Sequence, residues 1–435
     1  MSKDFPFTAI LGQEAMQTAL LLATIDPTIG GVLIRGQKGT AKSTAARALA
    51  KLLPSIAVVS DCPYHCDPDQ PETLHDACRD KRAAEGALPR EKQPTPFVDL
   101  PLSATEDRLI GTLHLEKTLQ SGARQFAPGL FAAAHRGLLY VDEVNLLPDH
   151  LVDLLLDTAV SGVNRVEREG LHYTHASRFL LIGTMNPEEG ELRPQFLDRF
   201  GLCVSVAAVD DAGLRQEIVR RRLAFDQAVD QFTASFVDQE DILRQQIVQA
   251  RKRLAAVAIP ADSLAHAVTL ASVAEAQGHR AELALVRAAR ALTALFERDR
   301  VTSAEIDAVA GLALAHRFPG MSVLTQEEVA SKLALASRPS ASVASTENQT
   351  AVDLDSVDMV AFPGAAAAGT APKERQTPAS RSHRRPEPIG SPGASGRRPT
   401  RVRSRHGRPS GYSQYGQCGV GQACPDSRSD GPASV

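Results

Sequence analysis

The chain has 435 residues, 43% of them hydrophobic, which is too long for one ordinary core and predicts two or three domains. It has no apolar run of about 18 residues, no secretory signal pattern in its first twenty residues and only six Cys, so we expect a cytoplasmic protein without a membrane span or a disulfide scaffold. Aromatic residues make up 4% and Trp is absent, so nucleic-acid binding by base stacking is not expected.

The first strand-like run, at 32–34, leads into a glycine-rich segment and then a helical pattern that Pro54 ends. The segment reads Gly36-Gln37-Lys38-Gly39-Thr40-Ala41-Lys42-Ser43-Thr44. This order predicts a phosphate-binding loop, in which backbone N–H groups and a helix N-terminus bind the phosphates of ATP. We expect Lys42 to bind the β- and γ-phosphate oxygens and Ser43 to bind Mg²⁺. The alternative is a turn that binds nothing.

Ala41 departs from the usual form of this loop, which has glycine before the lysine. If this position has helical backbone dihedrals, alanine costs little there.

Three Cys and one His follow the loop in two close pairs. The pairs are Cys62-x₃-Cys66 and His75-x₂-Cys78, on either side of a turn-rich segment. Thiolate and imidazole ligands in this grouping are typical of a structural Zn²⁺ site. The spacing is less diagnostic than paired CxxC motifs, so a loop with incidental thiols is an equal alternative.

A second apolar run, at 138–141, ends in two acidic residues. Acids at the carboxyl end of a parallel strand face the ligand crevice. We expect Asp142 to hold Mg²⁺ through water and Glu143 to act as the general base on the attacking water. The alternative is a pair of solvated loop acids.

A third run, at 179–182, precedes Asn186, which we expect to orient the attacking water beside the γ-phosphate. A helix-capping Asn is the alternative. Arg199 follows at the predicted rim of the α/β domain, from which it could reach a neighbouring subunit's site. A surface salt bridge is the alternative there.

Beyond a fourth run at 203–206 the strand signal fades and helical patterns dominate. From about 335 the chain is rich in Ser, Ala, Pro and Gly, which predicts disorder. Residues 371–410 hold eleven Lys and Arg against two acids, so a basic tail follows an acidic body. The predicted domains are an ATP-binding α/β domain at 1–208, a helical lid at 209–335 and a disordered linker and tail at 336–435.

The motifs GQKGTAKS, YVDEVN and GTMNPEEGELRPQFLDRFG, with FPFTAILGQE near the start, carry a resemblance over residues 5–320. They resemble the ATPase subunit family of magnesium chelatase, a branch of the AAA+ ATPases. This implies an AAA+ fold with a parallel sheet, β-hairpin insertions at 95–125 and 161–178, and an all-helical lid. The spelling GTAKST is more similar to the branch that is fused to an integrin-like domain. That domain's DxSxS motif is missing here, and a truncated or frame-altered end is one explanation.

The resemblance also implies roles for single residues. Lys42 and Ser43 bind phosphate and Mg²⁺, and Asn186 is the first sensor. Arg199 is implied to be the arginine finger that acts on a neighbour, and Arg280 the second sensor, from the lid.

The implied assembly is a ring, with six subunits in the family, that works with a large chelatase subunit and an integrin-like-domain subunit. The large subunit inserts magnesium or cobalt into a tetrapyrrole. Two alternatives stay open from the sequence: a chaperone-like AAA+ remodelling ATPase with an unknown client, and a regulatory scaffold that binds nucleotide without hydrolysing it.

Overall fold

A computed structural model describes residues 4–113, 126–168, 171–318 and 323–336. All of them belong to the first of two compact units, Met1–Thr370. Of the disordered segment predicted at 336–435, Ala336 is described, as the last residue of a helix, and 337–435 lie outside the described residues. Within them, no helix is long and apolar enough to cross a membrane.

Five strands form one parallel sheet at the centre of this unit. The strands of the described residues are β1 (Val32–Gly36), β2 (Ile56–Val59), β3 (Arg90–Gln93), β4 (Phe97–Leu100), β5 (Gly111–Leu113), β6 (Phe126–Pro128), β7 (Leu138–Val141), β8 (Val163–Arg168), β9 (Leu171–Ala176), β10 (Leu180–Met185) and β11 (Leu202–Val206). The spatial order of the central sheet is β11, β1, β10, β7 and β4.

Helices cover the sheet and continue beyond it. Those of the described residues are α1 (Glu14–Ile25), α2 (Lys42–Leu52), α3 (Asp76–Glu85), α4 (Glu106–Ile110), α5 (Leu130–Ala133), α6 (Asp149–Ser161), α7 (Pro194–Leu197), α8 (Ala212–Gln227), α9 (Val229–Ala234), α10 (Val237–Arg253), α11 (Ala261–Val273), α12 (Arg280–Leu295), α13 (Ser303–Leu314) and α14 (Gln326–Ala336). Helix α1 is buried over most of its length, because it contacts β11 as well as α10 and α12.

The four apolar runs of the sequence are strands of this sheet, as predicted. β7 and β10 are buried at every position, because neighbouring strands and covering helices enclose them. Strand β10 extends further than the apolar run at 179–182 indicated. Gly183, Thr184 and Met185 are also buried in it, although two of them are not large aliphatic residues.

The predicted insertion at 95–125 is partly wrong. Its first part is β4, which pairs in parallel with β7 and forms one edge of the central sheet. An edge strand is covered less completely than a central one, so its sequence need not be a continuous apolar run. Asp99 is exposed within this strand. The hairpin of this region is β5 with β6, antiparallel from Gly111 opposite Pro128 to Leu113 opposite Phe126.

The insertion predicted at 161–178 is confirmed. β8 and β9 form an antiparallel hairpin from Val163 opposite Ala176 to Arg168 opposite Leu171.

After β11 the described residues contain helices and an isolated bridge between Ala258 and Arg300, in agreement with the predicted helical region. Helix α12 buries eleven of its sixteen residues, including the apolar positions predicted at 285–295. The domain boundary at 208 stays a prediction, because the described residues belong to one unit.

Candidate functional site

The glycine-rich loop connects the end of β1 to the start of α2, as the phosphate-loop pattern requires. A Cβ atom on Gly36 would lie 2.3 Å from the carbonyl oxygen of Val206, so only glycine fits this close approach to β11. The Lys42 ammonium donates to the carbonyl oxygens of Gly36 at 2.5 Å and Gln37 at 2.8 Å. Burial lowers the pKa of Lys42, opposed by the negative charges of Asp142 and Glu143. This lysine is therefore held inside the loop, at the N-terminus of α2.

Ala41 does not have the helical dihedrals with which alanine would cost little. Its φ is 61° and its ψ is 19°, which is the left-handed region. In this region Cβ crowds the backbone, at a cost of roughly 1–2 kcal/mol for a residue other than glycine. The position thus has the conformation for which glycine is suited, and alanine occupies it under strain.

The two acids follow β7 and are tied to the neighbouring strand β10. Asp142 Oδ1 accepts hydrogen bonds from the Tyr140 hydroxyl at 3.0 Å and the Thr184 hydroxyl at 2.5 Å. The backbone N–H of Glu143 donates to Thr184 Oγ1 at 3.2 Å. Glu143 is itself left-handed, with φ of 53°, an uncommon conformation for this residue type that occurs at functional sites. These contacts hold both carboxylates beside the loop.

Asn186 follows β10 and is 4% exposed. Its Oδ1 accepts from the backbone N–H of Glu188 at 3.3 Å and so caps the short 3₁₀ helix Pro187–Glu189. The capping alternative is therefore correct as a local description. The residue also lines the cavity described next, so capping and a role at the cavity coexist.

One cavity of about 490 Å³ brings most of the predicted ATP-site residues together. This is within the usual size range of small-molecule sites. An N-terminal segment that includes Phe5 and Ile10 contributes an apolar wall, and Arg221 of α8 contributes charge. The predicted residues that line the cavity are Gly39, Thr40, Ala41, Lys42, Ser43, Thr44, Asp142, Glu143 and Asn186.

Lys38 and Glu189 form an ion pair at the mouth of this site, which the sequence did not indicate. Lys38 Nζ lies 2.6 Å from Glu189 Oε1 and 3.6 Å from Glu143 Oε1. The hydrogen bond to Glu189 raises the pKa of Lys38. An exposed lysine therefore bridges the predicted general base and the 3₁₀ helix.

Arg199 and Arg280 line a different cavity, of about 690 Å³. Arg199 Nη1 lies 2.7 Å from Asp157 Oδ1 and 3.0 Å from Asp153 Oδ1, so the salt-bridge alternative is present. Arg280 Nη1 lies 2.8 Å from Asp198 Oδ2. Further arginines on the wall of this cavity are Arg178, Arg287 and Arg317. This second cavity therefore concentrates positive charge.

The structure brings the four residues of the Cys/His cluster together, as the metal-site alternative requires. One ligand atom from each of Cys62, Cys66, His75 and Cys78 lies within 4.8 Å of all the others. The four cysteines of the described residues are free. Hydrogen bonding with Cys66 lowers the pKa of the Cys62 thiol, and the same contact raises the pKa of Cys66. Burial raises the pKa of Cys78 to about 12.

Comparison with known proteins identifies the family to which this chain is similar. The family model described as magnesium chelatase, subunit ChlI, matches residues 89–210, and one described as AAA lid domain matches residues 264–334. The magnesium-chelatase 38 kDa subunit of Acidiphilium rubrum is 54% identical over 314 residues, which are 72% of this chain and 91% of that protein. The chain belongs to the magnesium chelatase ATPase subunit family.

Other members are similar over the same length. The magnesium-chelatase subunit ChlI homolog of Methanocaldococcus jannaschii is 49% identical over 73% of this chain and 86% of its own. A solved structure described as a complex between subunits BchI and BchD of magnesium chelatase contains a chain 45% identical to this one. The match covers 75% of this chain and 99% of that one, with a TM-score of 0.44. A crystal structure from Cytophaga hutchinsonii, 20% identical with a TM-score of 0.50 over 75% and 90% of the two chains, supports the fold alone.

Membership in the magnesium chelatase family confirms the AAA+ fold class, while the roles of single residues stay predictions. Sequence reasoning missed Thr184, which joins the two acids to β10, and Lys38. Both residues belong to motifs quoted above, GTMN and GQKGTAKS. Each contacts a residue that is distant in the sequence, so the motif itself does not indicate the contact.

Proposed function

We propose that this chain is the ATPase motor subunit of a magnesium or cobalt chelatase complex, in chlorophyll or cobalamin biosynthesis. Its hydrolysis of ATP drives a separate large subunit, which inserts the metal into a tetrapyrrole. The observation that carries the proposal is the cavity in which Lys42, Ser43, Asp142, Glu143 and Asn186 meet, in a chain 54% identical to a magnesium-chelatase subunit.

The residues at this cavity fit ATP with Mg²⁺. Ser43 and Asp142 offer a hydroxyl and a carboxylate, the oxygen ligands that Mg²⁺ prefers. Lys42 and the N-terminus of the eleven-residue helix α2 offer positive charge for phosphate oxygens. When bound, Mg²⁺ neutralises charge on the phosphates.

Each residue then has a defined part in hydrolysis. Lys42 exchanges its two carbonyl partners for phosphate oxygens. Glu143 accepts a proton from the attacking water, and Asn186 orients that water through its amide. Thr184 positions the acids by its hydrogen bonds to Asp142 Oδ1 and from the Glu143 amide. A scaffold that only binds nucleotide would not need Glu143 held in this place.

Arg199 and Arg280 act on the nucleotide of a neighbouring subunit in this proposal. Both line the second cavity, with the ion pairs to Asp157 and Asp198 holding them. A guanidinium there would stabilise charge that develops on a neighbour's γ-phosphate in the transition state. A head-to-tail contact of this kind closes into a ring, for which six subunits are expected.

The proposed partners are a large chelatase subunit and an integrin-like-domain subunit. The proposed location is the cytoplasm, since free cysteines persist in a reducing compartment. The cofactors are ATP and Mg²⁺ at the first cavity, together with a structural Zn²⁺ at the Cys/His cluster.

The test is a pair of substitutions in the first cavity. Lys42→Ala should abolish nucleotide binding, whereas Glu143→Gln should bind ATP and lose hydrolysis by at least about a hundredfold, the usual contribution of a general base. Lys51→Ala, an exposed lysine on the same helix α2, is the matched control and should keep both activities. ATP binding is measured by calorimetry and hydrolysis by phosphate release. Wild-type turnover in Glu143→Gln would refute the assignment.

The metal and the partner need a separate experiment. The chain is combined with candidate large subunits, ATP and either Mg²⁺ or Co²⁺, and tetrapyrrole absorbance is followed. We expect metal insertion with one large subunit and its loss with Glu143→Gln. ATP hydrolysis without insertion under any combination would favour a remodelling ATPase.

A further inference from the structure

The Cys/His cluster has the dimensions of a tetrahedral metal site. Zinc bonds of about 2.3 Å to sulfur and 2.0 Å to nitrogen place neighbouring ligand atoms roughly 3.5–3.8 Å apart. Here His75 Nδ1 lies 3.6 Å from Cys62 Sγ and 3.2 Å from Cys66 Sγ. Cys66, His75 and Cys78 are buried and Cys62 is half-buried. Three sulfurs and one imidazole nitrogen are a ligand set that selects zinc over Mg²⁺.

The backbone around the first two cysteines is bent to bring them together. Asp61 and His65 have φ of 59° and 46°, left-handed values that are uncommon outside glycine. The amide of His65 donates to the Cys62 carbonyl at 3.2 Å, and the amide of Val59 donates to the Cys66 carbonyl at 3.0 Å. Two strained residues within one short loop indicate that contacts outside the loop hold it in place.

The other two ligands come from the start of a helix that packs against this loop. His75 immediately precedes α3, and Cys78 lies in its first turn. The amide of His75 donates to Cys66 Sγ at 3.4 Å, the kind of contact that stabilises a thiolate ligand. The four ligands thus join two separate segments, 59–66 and 75–85.

The cluster also lies under both hairpin insertions. Between two of its ligands, Tyr64 packs its ring 4.8 Å from the His175 ring and 6.1 Å from the Tyr173 ring, both on β9. Tyr173 in turn stacks at 4.3 Å on Phe126 of β6. These rings connect the cysteine loop to the hairpin β8–β9 and, through it, to β5–β6.

An ion pair fixes the other side of the loop. Arg136 Nη2 lies 2.9 Å from Asp67 Oδ2, and Arg136 Nη1 donates to the Ala57 carbonyl at 2.5 Å. Arg136 comes just before β7 of the central sheet. The loop therefore stands between the sheet and the two hairpins.

We propose that Cys62, Cys66, His75 and Cys78 bind one structural Zn²⁺, and that the zinc-bound loop anchors the hairpins β5–β6 and β8–β9 to the central sheet. Binding releases up to three thiol protons to solvent and leaves the ion enclosed by four protein ligands. The inference does not rest on the proposed ATPase reaction, since none of the four ligands lines the ATP cavity.

Metal content is the first test. Full-length protein purified without chelators should hold about one Zn per chain, and a thiol-blocking reagent should release it. Cys78→Ser and His75→Ala should lose at least about half of this zinc, whereas His75→Cys should keep it by restoring a four-ligand set. Cys203→Ala, a buried cysteine of β11, is the matched control and should keep it too.

A variant could lose zinc only because it misfolds, so the ligands are also identified directly, by replacing Zn²⁺ with Co²⁺. The wild-type chain loaded with Co²⁺ should show the visible and charge-transfer bands of tetrahedral thiolate coordination, and Cys78→Ser should lose thiolate intensity. Absence of zinc, or zinc that is unchanged in every ligand variant, overturns the site.

Hydrogen exchange tests the anchoring role. Removing Zn²⁺ from the wild-type chain should speed amide exchange in β6 and β9 by about tenfold or more, because local opening becomes easier. Exchange in α12, which lies in the helical region, should stay unchanged. If β6 and β9 exchange alike with and without zinc, the anchoring role is wrong even when zinc is present. Calorimetric binding of ATP by the zinc-free protein tests the ATP site separately.

Discussion

Ala41 occupies a backbone conformation that favours glycine, directly before the lysine of the phosphate-binding loop. Its methyl group cannot cap α2 by a hydrogen bond, so no capping contact of the side chain offsets the strain. The surrounding loop keeps this conformation for the amide groups that face the phosphates.

Replacing Ala41 with glycine should therefore stabilise the protein. The relief of roughly 1–2 kcal/mol exceeds the entropy of about 0.5–1 kcal/mol that glycine loses on folding, so a net gain of about 0.5–1 kcal/mol is expected. Denaturant unfolding of Ala41→Gly measures this change. Ala48→Gly, in the middle of the same helix, is the control and should lose about 1 kcal/mol. A loss in both variants would contradict the strain at Ala41.

The meeting of Lys42, Ser43, Asp142 and Glu143 at one cavity was predictable because their motifs have a fixed order, and their roles stay predictions. The dihedral angle of Ala41 was not predictable, because it depends on how the loop closes between β1 and α2. Thr184 was missed for a related reason. Its role arises only from the pairing of β10 with β7, which places Gly183 opposite Val141.

At the scale of elements, Arg221 joins α8 to the N-terminal segment beside the ATP cavity, and one carboxylate of the same helix pairs with it. Glu217 pairs with Arg220 at 2.6 Å and with Arg221 at 2.9 Å, and Arg221 also donates to the Ala9 carbonyl at 3.0 Å. The hydrogen bond from Arg220 lowers the pKa of Glu217 to about 2.

Glu217→Gln should lower the free energy of unfolding by up to about 1 kcal/mol at neutral pH, since such partly exposed pairs are weak. A depressed carboxyl pKa stabilises the folded state above the unfolded pKa of about 4.3, and the effect is lost as pH falls through the folded value. The difference from wild type should thus be constant from pH 8 to about 5 and vanish near pH 2.

Urea unfolding across this pH range measures the difference. The double variant Glu217→Gln/Arg220→Gln closes a mutant cycle and isolates the pair. A difference that grows on acidification would contradict the assigned pKa direction.

The central strands were predictable because continuous apolar runs are typical of strands buried on both faces. β4 was assigned to an insertion instead, since its exposed Asp99 interrupts the pattern and its place is set by β7. The hairpin β8–β9 was predicted from family resemblance and not from its own periodicity.

For the whole molecule, the two cavities contain separate parts of the proposed ATPase site, as a head-to-tail assembly requires. One contains the phosphate loop and its acids, and the other contains Arg199 and Arg280. No periodicity in the sequence could have placed those two arginines at one cavity, because Arg280 reaches Asp198, the neighbour of Arg199, only through tertiary packing.

Mixing two inactive variants tests this assembly. Arg199→Ala should bind ATP and hydrolyse it poorly, and Glu143→Gln should behave likewise. Mixed rings should regain part of the activity, because a Glu143→Gln subunit lends its intact Arg199 to a neighbour with intact Glu143. Phosphate release is measured over a titration of the two variants.

A mixture that never exceeds either variant alone has two explanations, which a second titration separates. Wild-type chains mixed with Glu143→Gln should lose activity in proportion to the variant if sites act independently. Steep loss would show that one defective site stops a ring, and proportional loss without rescue would show that Arg199 does not act on a neighbour.

The phosphate loop is carried by a strand whose partners are synthesised late. Leu33 of β1 pairs with Gly183 of β10 and with Cys203 of β11, each about 150 or more residues further along the chain. A nascent chain therefore has both edges of β1 unpaired until translation has passed Met185, and one edge unpaired until it has passed Val206. Unpaired strand edges favour association with other chains. The phosphate loop is thus translated early, but the sheet that positions it for ATP forms only after β10 and β11 have been made.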